Sequence, residues 1–167
     1  MSADLRLLLL RHGAALPSGP DPELSPRGCD EVEAVLRGRG LADLGERPLI
    51  LHSPLRRAVR TAELVARRWP LGQRHLTDLL LPEASVAEAA RTVLAADRTH
   101  ADALVVVSHL PLLPALARWL CEADCRFETG SGWLLTADAD MAWQGSFEVL
   151  RAIKREQGCG PADGEGS

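Results

Sequence analysis

The sequence is short of the features that would send it to a membrane. Its N-terminal apolar run, Leu7 to Leu10, sits between Arg6 and Arg11 and is too brief and interrupted for a signal peptide. No later stretch approaches the roughly 20 apolar residues that a spanning helix needs. Positive charge is not in excess either, since 19 Lys and Arg stand against 23 Asp and Glu for a net charge of -4. Such a balance gives no global attraction to nucleic acid or anionic lipid, so any anion site must be local. The cysteines, Cys29, Cys121, Cys125 and Cys159, include no CxxC pair. Without an export signal they are expected as reduced thiols, with Cys29 and Cys121 in packing roles. A zinc site built on Cys121, Cys125 and a histidine would lack a second ligand pair. These absences lead to the expectation of a cytoplasmic protein with no nucleic-acid or membrane partner, no metal and no cofactor.

What is present suits one ordinary core. A chain of 167 residues, 46% hydrophobic and 25% charged, is long enough to bury most of its apolar surface without disulfides. Residues 1–155 are expected to form a single domain. Residues 156–167, rich in Gly and acid and free of periodicity, read as a disordered tail. No internal repeat is visible.

Strands are expected at Leu5 to Leu10, Leu49 to Leu51, His75 to Leu81, Ala103 to Val107, Gly132 to Thr136 and Ser146 to Leu150. The all-apolar runs among them suit central strands covered on both faces. Ser25-Pro26 is a helix start, with Ser as N-cap and Pro at the first helical position, and Gly38 ends that segment. Leu55, Val59, Ala62, Ala66 and Trp69 form a second helical stripe, closed by Pro70. Ser85 with Glu88 is a capping box for a helix to about Asp97, and Leu112, Leu113, Leu116 and Leu120 mark a last one. Strands alternating with helices predict an α/β fold, a three-layer α/β/α sandwich with a mostly parallel central sheet.

In such sheets ligands bind outside the carboxyl ends of the strands. Arg11-His12, His52-Ser53 and Ser108-His109 all fall on that edge, so residues far apart in sequence converge. The helices that follow add free N–H groups and a dipole that favour an anion. Imidazoles and guanidiniums gathered there point to phosphate. Spacing alone does not choose among Arg56, Arg57 and Arg60.

These residues carry a family resemblance. Arg11-His12-Gly13 resembles the RHG signature of the histidine phosphatase superfamily, Ser53 to Ala58 with Thr61-Ala62 resembles its second motif, and Ser108-His109 its third, in the same order. Within the superfamily, RHGAA, LSPRGCDE, SPLRRA, LLPE and VVVSHLPLL are most similar to the small SixA-type phosphohistidine phosphatases, over roughly Leu7 to Trp143. The resemblance implies a phosphoglycerate-mutase-like fold. It implies His12 as the nucleophile that becomes phosphorylated, Arg11 and Arg57 as ligands of the phosphoryl oxygens, and His109 as the group that completes the pocket. Ala58, following as the family pattern has it, selects Arg57.

The chemistry is consistent with those roles. A nucleophilic imidazole must be neutral, and flanking guanidinium charge lowers its pKa. Arginine offers paired N–H donors to phosphate oxygens, and phosphoryl transfer needs mainly positioning and charge neutralisation, without a metal. Two steps through phospho-His12 are expected. Larger superfamily members add an acid that protonates a poor leaving group; the nearest match is Glu83, with Asp21 and Glu23 as weaker substitutes. An imidazole of pKa ~6.5 leaves without such help far more readily than an alkoxide. The connection from Leu81 to Ser85 is too short for a lid-like insertion.

The implied activity is hydrolysis of phosphohistidine on a protein, a phosphotransfer domain of a bacterial signalling or transport relay, with inorganic phosphate as product. A small-molecule phosphomonoesterase of the same fold is the first alternative, and a non-catalytic phosphate or phosphohistidine-binding module the second. His52 is read as bonding its own loop, Ser108 as a structural hydroxyl, and His75 and His100 as surface residues. The tryptophans Trp69, Trp119, Trp133 and Trp143 are read as packing residues, with Trp143 in a turn where it could be exposed.

Overall fold

The computed structural model describes residues 4–155, so the tail read as disordered, 156–167, lies outside the described residues. Its strands are β1 (Asp4–Arg11), β2 (Pro48–His52), β3 (Gln73–Leu76), β4 (Ala103–Ser108), β5 (Gly132–Asp138) and β6 (Glu148–Ile153). They form one sheet in the order β3-β2-β4-β1-β5-β6. Pairing is parallel between β1 and β4, β4 and β2, and β2 and β3. Strand β5 runs antiparallel to both β1 and β6, so the sheet is mostly parallel.

The helices are α1 (Pro26–Arg37), α2 (Arg56–Arg68), α3 (Val86–Ala95) and α4 (Leu112–Cys121). Alternation along β1 sorts them into two outer layers. Leu5, Leu7 and Leu9 join a core with Val93, Leu113 and Leu116 of α3 and α4. Leu8 and Leu10 face Val32, Val35, Ala62 and Val65 of α1 and α2. All four leucines from Leu7 to Leu10 are 0% exposed, and each buried side chain stabilises the fold by roughly 1.5–3 kcal/mol.

The helix starts follow the capping residues. Ser25 Oγ accepts the Gly28 N–H at 3.0 Å, and Ser85 Oγ accepts the Glu88 N–H at 3.3 Å. Two strands differ from expectation. The run His75 to Leu81 is extended only to Leu76, because Thr77 Oγ1 accepts the Leu79 N–H and turns the chain into a short 3-10 segment that buries Leu80. The last strand begins at Glu148 rather than Ser146: Ser146 Oγ bonds Trp143, and the Phe147 N–H donates to the Leu120 carbonyl at the end of α4. A 3-10 segment from Arg39 to Leu44, unforeseen in sequence, buries Leu41 and Leu44.

Candidate active site

Parallel register sets Arg11 opposite Ser108 and His52 opposite Val107, so the carboxyl tips of β1, β4 and β2 stand side by side. The main chain clamps His12 from two sides. Its N–H donates to the Ser108 carbonyl at 3.2 Å, and its carbonyl accepts the Gly130 N–H at 2.9 Å. Thr61 on α2 ties the next residue in place, accepting the Gly13 N–H at 3.2 Å while donating to the Arg57 carbonyl at 2.8 Å.

His12 is buried, 6% exposed. Its Nδ1–H donates to the Gly13 carbonyl at 2.6 Å, which leaves the lone pair on Nε2. The Nε–H of Arg57 donates to that Nε2 at 3.3 Å. The His109 ring stands beside it, with centroids 4.9 Å apart, and His109 Nε2 lies 2.7 Å from Ser53 Oγ.

Both imidazoles are neutral at pH 7. Burial holds His12 down at about 4; its bond to the Gly13 carbonyl opposes this, and the charges of Arg57 and then Arg11 add to it. Burial also takes His109 down to about 3, with His12, Arg57 and Arg11 acting in the same direction. Burial therefore outweighs the guanidinium charge on which the sequence argument leaned.

Arg11 donates through Nη1 to the Phe127 carbonyl at 2.9 Å. Burial lowers its pKa, Glu31 opposing and Arg57 adding, yet a guanidinium stays charged at any ordinary pH. Two buried nitrogens of this edge, Arg11 Nε and His109 Nδ1, have no hydrogen-bond partner among the described residues. Arg57 Nη1 lies 3.9 Å from Asp21 Oδ1, which also accepts the Arg56 N–H at 3.0 Å. Glu23 is paired with Arg56. Asp21 and Glu23 are thus both engaged with the first residues of α2.

The structure brings Arg11, His12, Arg57 and His109 onto one edge. Glu83 is an exposed residue of the turn before α3. That turn is held to the same edge, because Ser108 Oγ donates to the Leu80 carbonyl at 2.7 Å. His52 Nδ1–H bonds the Ser53 carbonyl at 2.9 Å, the loop role read from sequence. Trp143 is exposed, whereas Trp69 is buried. Cys121 donates to the Ala117 carbonyl and Cys29 packs against the α1 and α2 core. Sequence reasoning gave no task to Ser53 or Thr61. For Thr61 the signal was present: it lies one helical turn after Arg57, on the same face of α2.

A sequence model of the histidine phosphatase superfamily, branch 1, matches residues 7–88, a span that holds Arg11, His12 and Arg57. The chain belongs to the histidine phosphatase superfamily. Beyond that span, its fold matches the protein histidine phosphatase SixA solved in complex with tungstate, with a TM-score of 0.77, 25% identity, and coverage of 90% of this chain and 97% of that one. A Nakamurella multipartitia protein assigned as a phosphohistidine phosphatase SixA has a TM-score of 0.76 at 23% identity, over 92% of this chain and 98% of its own. In sequence, the chain is 40% identical over 88 residues to a 2,3-bisphosphoglycerate-dependent phosphoglycerate mutase of Thermobifida fusca (strain YX). That match takes in 41% of this chain and 35% of the mutase, so the chain spans about a third of the length of the curated relatives it matches. Among the described residues of this chain, no helix is long and apolar enough to cross a membrane.

Proposed function

We propose that this superfamily member is a phosphohistidine phosphatase acting, without a metal, on a protein substrate. The observation that carries the reading is a neutral His12 whose Nε2 lone pair faces Arg57 Nε at 3.3 Å, beside His109, on an edge with unpartnered buried nitrogens. In the first step the Nε2 lone pair attacks phosphorus and forms an N–P bond. The P–N bond to the substrate imidazole breaks, and that ring, already protonated on its other nitrogen before attack, leaves as neutral imidazole. Water then attacks phospho-His12, releasing inorganic phosphate and restoring the lone pair. Arg11 and Arg57 neutralise charge on the equatorial oxygens, and His109 lines the same pocket. Residues 1–155 act as one domain in this reading. The tungstate held by the similar SixA structure is a tetrahedral oxyanion, the class of ligand these donors suit.

The leaving group is argued from the carboxylates. Asp21 and Glu23 are taken up by the start of α2, and Glu83 is exposed, with no hydrogen bond or ion pair of its side chain among the described residues. An imidazole, of pKa ~6.5, departs without a strong acid, which an alkoxide does not. The four-residue link from leucine 81 to α3 leaves the edge open to a protein surface. The partner is then a phosphohistidine-bearing phosphotransfer domain of a cytoplasmic relay.

A small-molecule phosphomonoesterase is the second reading, favoured by the 40% identity to a phosphoglycerate mutase. The deciding experiment compares kcat/KM on a phosphohistidine protein with kcat/KM on a panel of sugar phosphates and 3-phosphoglycerate. The phosphohistidine protein is expected to win by a wide margin. A clear preference for the panel reverses the order of the two readings.

A further inference from the structure

We infer that Ser53 is a positioning residue: its hydroxyl donates to His109 Nε2 and so fixes the tautomer in which Nδ1–H is offered to the phosphoryl group. Ser53 is 0% exposed and His109 1%, so water satisfies neither side chain. Ser53 Oγ already accepts the Leu55 N–H at 3.3 Å, and its other partner is His109 Nε2 at 2.7 Å. One hydrogen and one contact decide the direction. If the hydroxyl donates to Nε2, every polar atom of Ser53 is satisfied, and the imidazole proton sits on Nδ1.

The reverse arrangement fails at both ends. Were Nε2–H the donor, the Ser53 hydrogen would be a buried donor with no acceptor, and such unmet donors are costly. His109 Nδ1 would then present a lone pair, although it is buried and has no partner among the described residues. A lone pair there would repel phosphoryl oxygens; an N–H attracts them. The doubly protonated ring is excluded near neutrality, since burial, His12 and the two arginines keep the His109 pKa at about 3. The product is a neutral imidazole donor, set beside cations that it does not repel.

The two histidines therefore carry opposite tautomeric tasks. His12 spends its Nδ1–H on a carbonyl and keeps on Nε2, toward which Arg57 donates, the lone pair for attack. His109 spends Nε2 on Ser53 and keeps Nδ1–H for binding. The role in turnover rests on the phosphatase reading, whereas the tautomer does not.

The test is nitrogen NMR of the imidazoles in the 15N-labelled full chain, with His109 assigned through a His109→Gln variant. The wild type is expected to show His109 protonated on Nδ1, with that N–H perturbed when inorganic phosphate is added. Protonation on Nε2 overturns the inference, whatever the enzyme turns over. Ser53→Ala is expected to lose the single tautomer and about 10- to 100-fold in kcat/KM, as when a hydrogen bond that orients a functional histidine is removed. Ser53→Thr keeps the hydroxyl, and with it the tautomer and most of the activity. A Ser53→Ala protein with unchanged tautomer and unchanged kcat/KM also overturns it. If the wild type hydrolyses no phosphohistidine but shows the Nδ1 tautomer, the substrate assignment fails and the Ser53 assignment stands.

Discussion

Gly13 and Gly28 meet backbone to backbone. A Cβ on Gly13 would lie 2.4 Å from the Gly28 carbonyl oxygen, and one on Gly28 would lie 2.1 Å from the carbonyl oxygen of Ala14. The loop that leaves His12 is thereby pressed onto the first turn of α1, where Ser25 also bonds the Ala14 carbonyl through both its N–H and its Oγ at 2.8 Å. Gly13 follows His12 because no side chain fits between that loop and the helix. Gly13→Ala is expected to lower stability by about 1–3 kcal/mol, since the clash is with backbone that cannot swing aside. It should also reduce turnover through the displaced His12 carbonyl and ring. Chemical denaturation and kcat/KM measured together check this; an unperturbed variant would show that the loop yields freely.

His12→Ala is expected to abolish turnover, by about 10⁴-fold or more, while the fold survives. Its backbone bonds to Ser108 and Gly130 do not need the side chain. Circular dichroism and an activity assay on the same sample separate the two effects. Hydrolysis at the wild-type rate would remove His12 from its role.

The acid side of the pH profile follows from burial. Attack requires His12 neutral, and its pKa is held at about 4 instead of the ordinary 6.5. The kcat/KM profile is therefore expected to stay flat from neutrality down through pH 6.5 and to halve near pH 4. Stability moves in the same direction. Below 6.5 the unfolded chain takes up a proton that folded His12 refuses until about 4, so folding is weakened as pH falls through that window. His12→Ala should flatten part of that loss of Tm. A limb centred at 6.5 in both activity and Tm would show the ring to be solvated.

Glu83→Gln tests the leaving-group argument. The side chain is exposed and has no partner among the described residues, so its loss should leave phosphohistidine hydrolysis within about twofold, a surface change costing little. On a phosphomonoester with a poor leaving group the variant is expected to be slower. Equal and large losses on both substrates would contradict the account given for phosphohistidine.

Sequence and structure divide along physical lines. Local chemistry was legible in the chain: Ser25-Pro26 and Ser85 announce helix starts because capping is a contact between neighbours in sequence. The buried strands from Leu7 and Ala103 were legible because a fully covered strand needs unbroken apolar residues. The motif residues Arg11, His12, Arg57 and His109 were legible by resemblance, and strand ends implied their convergence. The end of β3 was not legible, since Thr77 there turns the chain by a hydroxyl-to-backbone bond that apolar pattern does not encode.

By itself, then, the sequence determined the layers, the mostly parallel sheet and the residues gathered at one edge. Only the tertiary structure decided their states. Which nitrogen of each histidine carries the proton depends on contacts with Gly13 and, 56 residues away, with Ser53. That both rings are neutral is decided mainly by burial, a property of the packed edge and not of any one residue. The glycine after His12 is explained by Gly28, a residue 15 positions later in the first turn of α1.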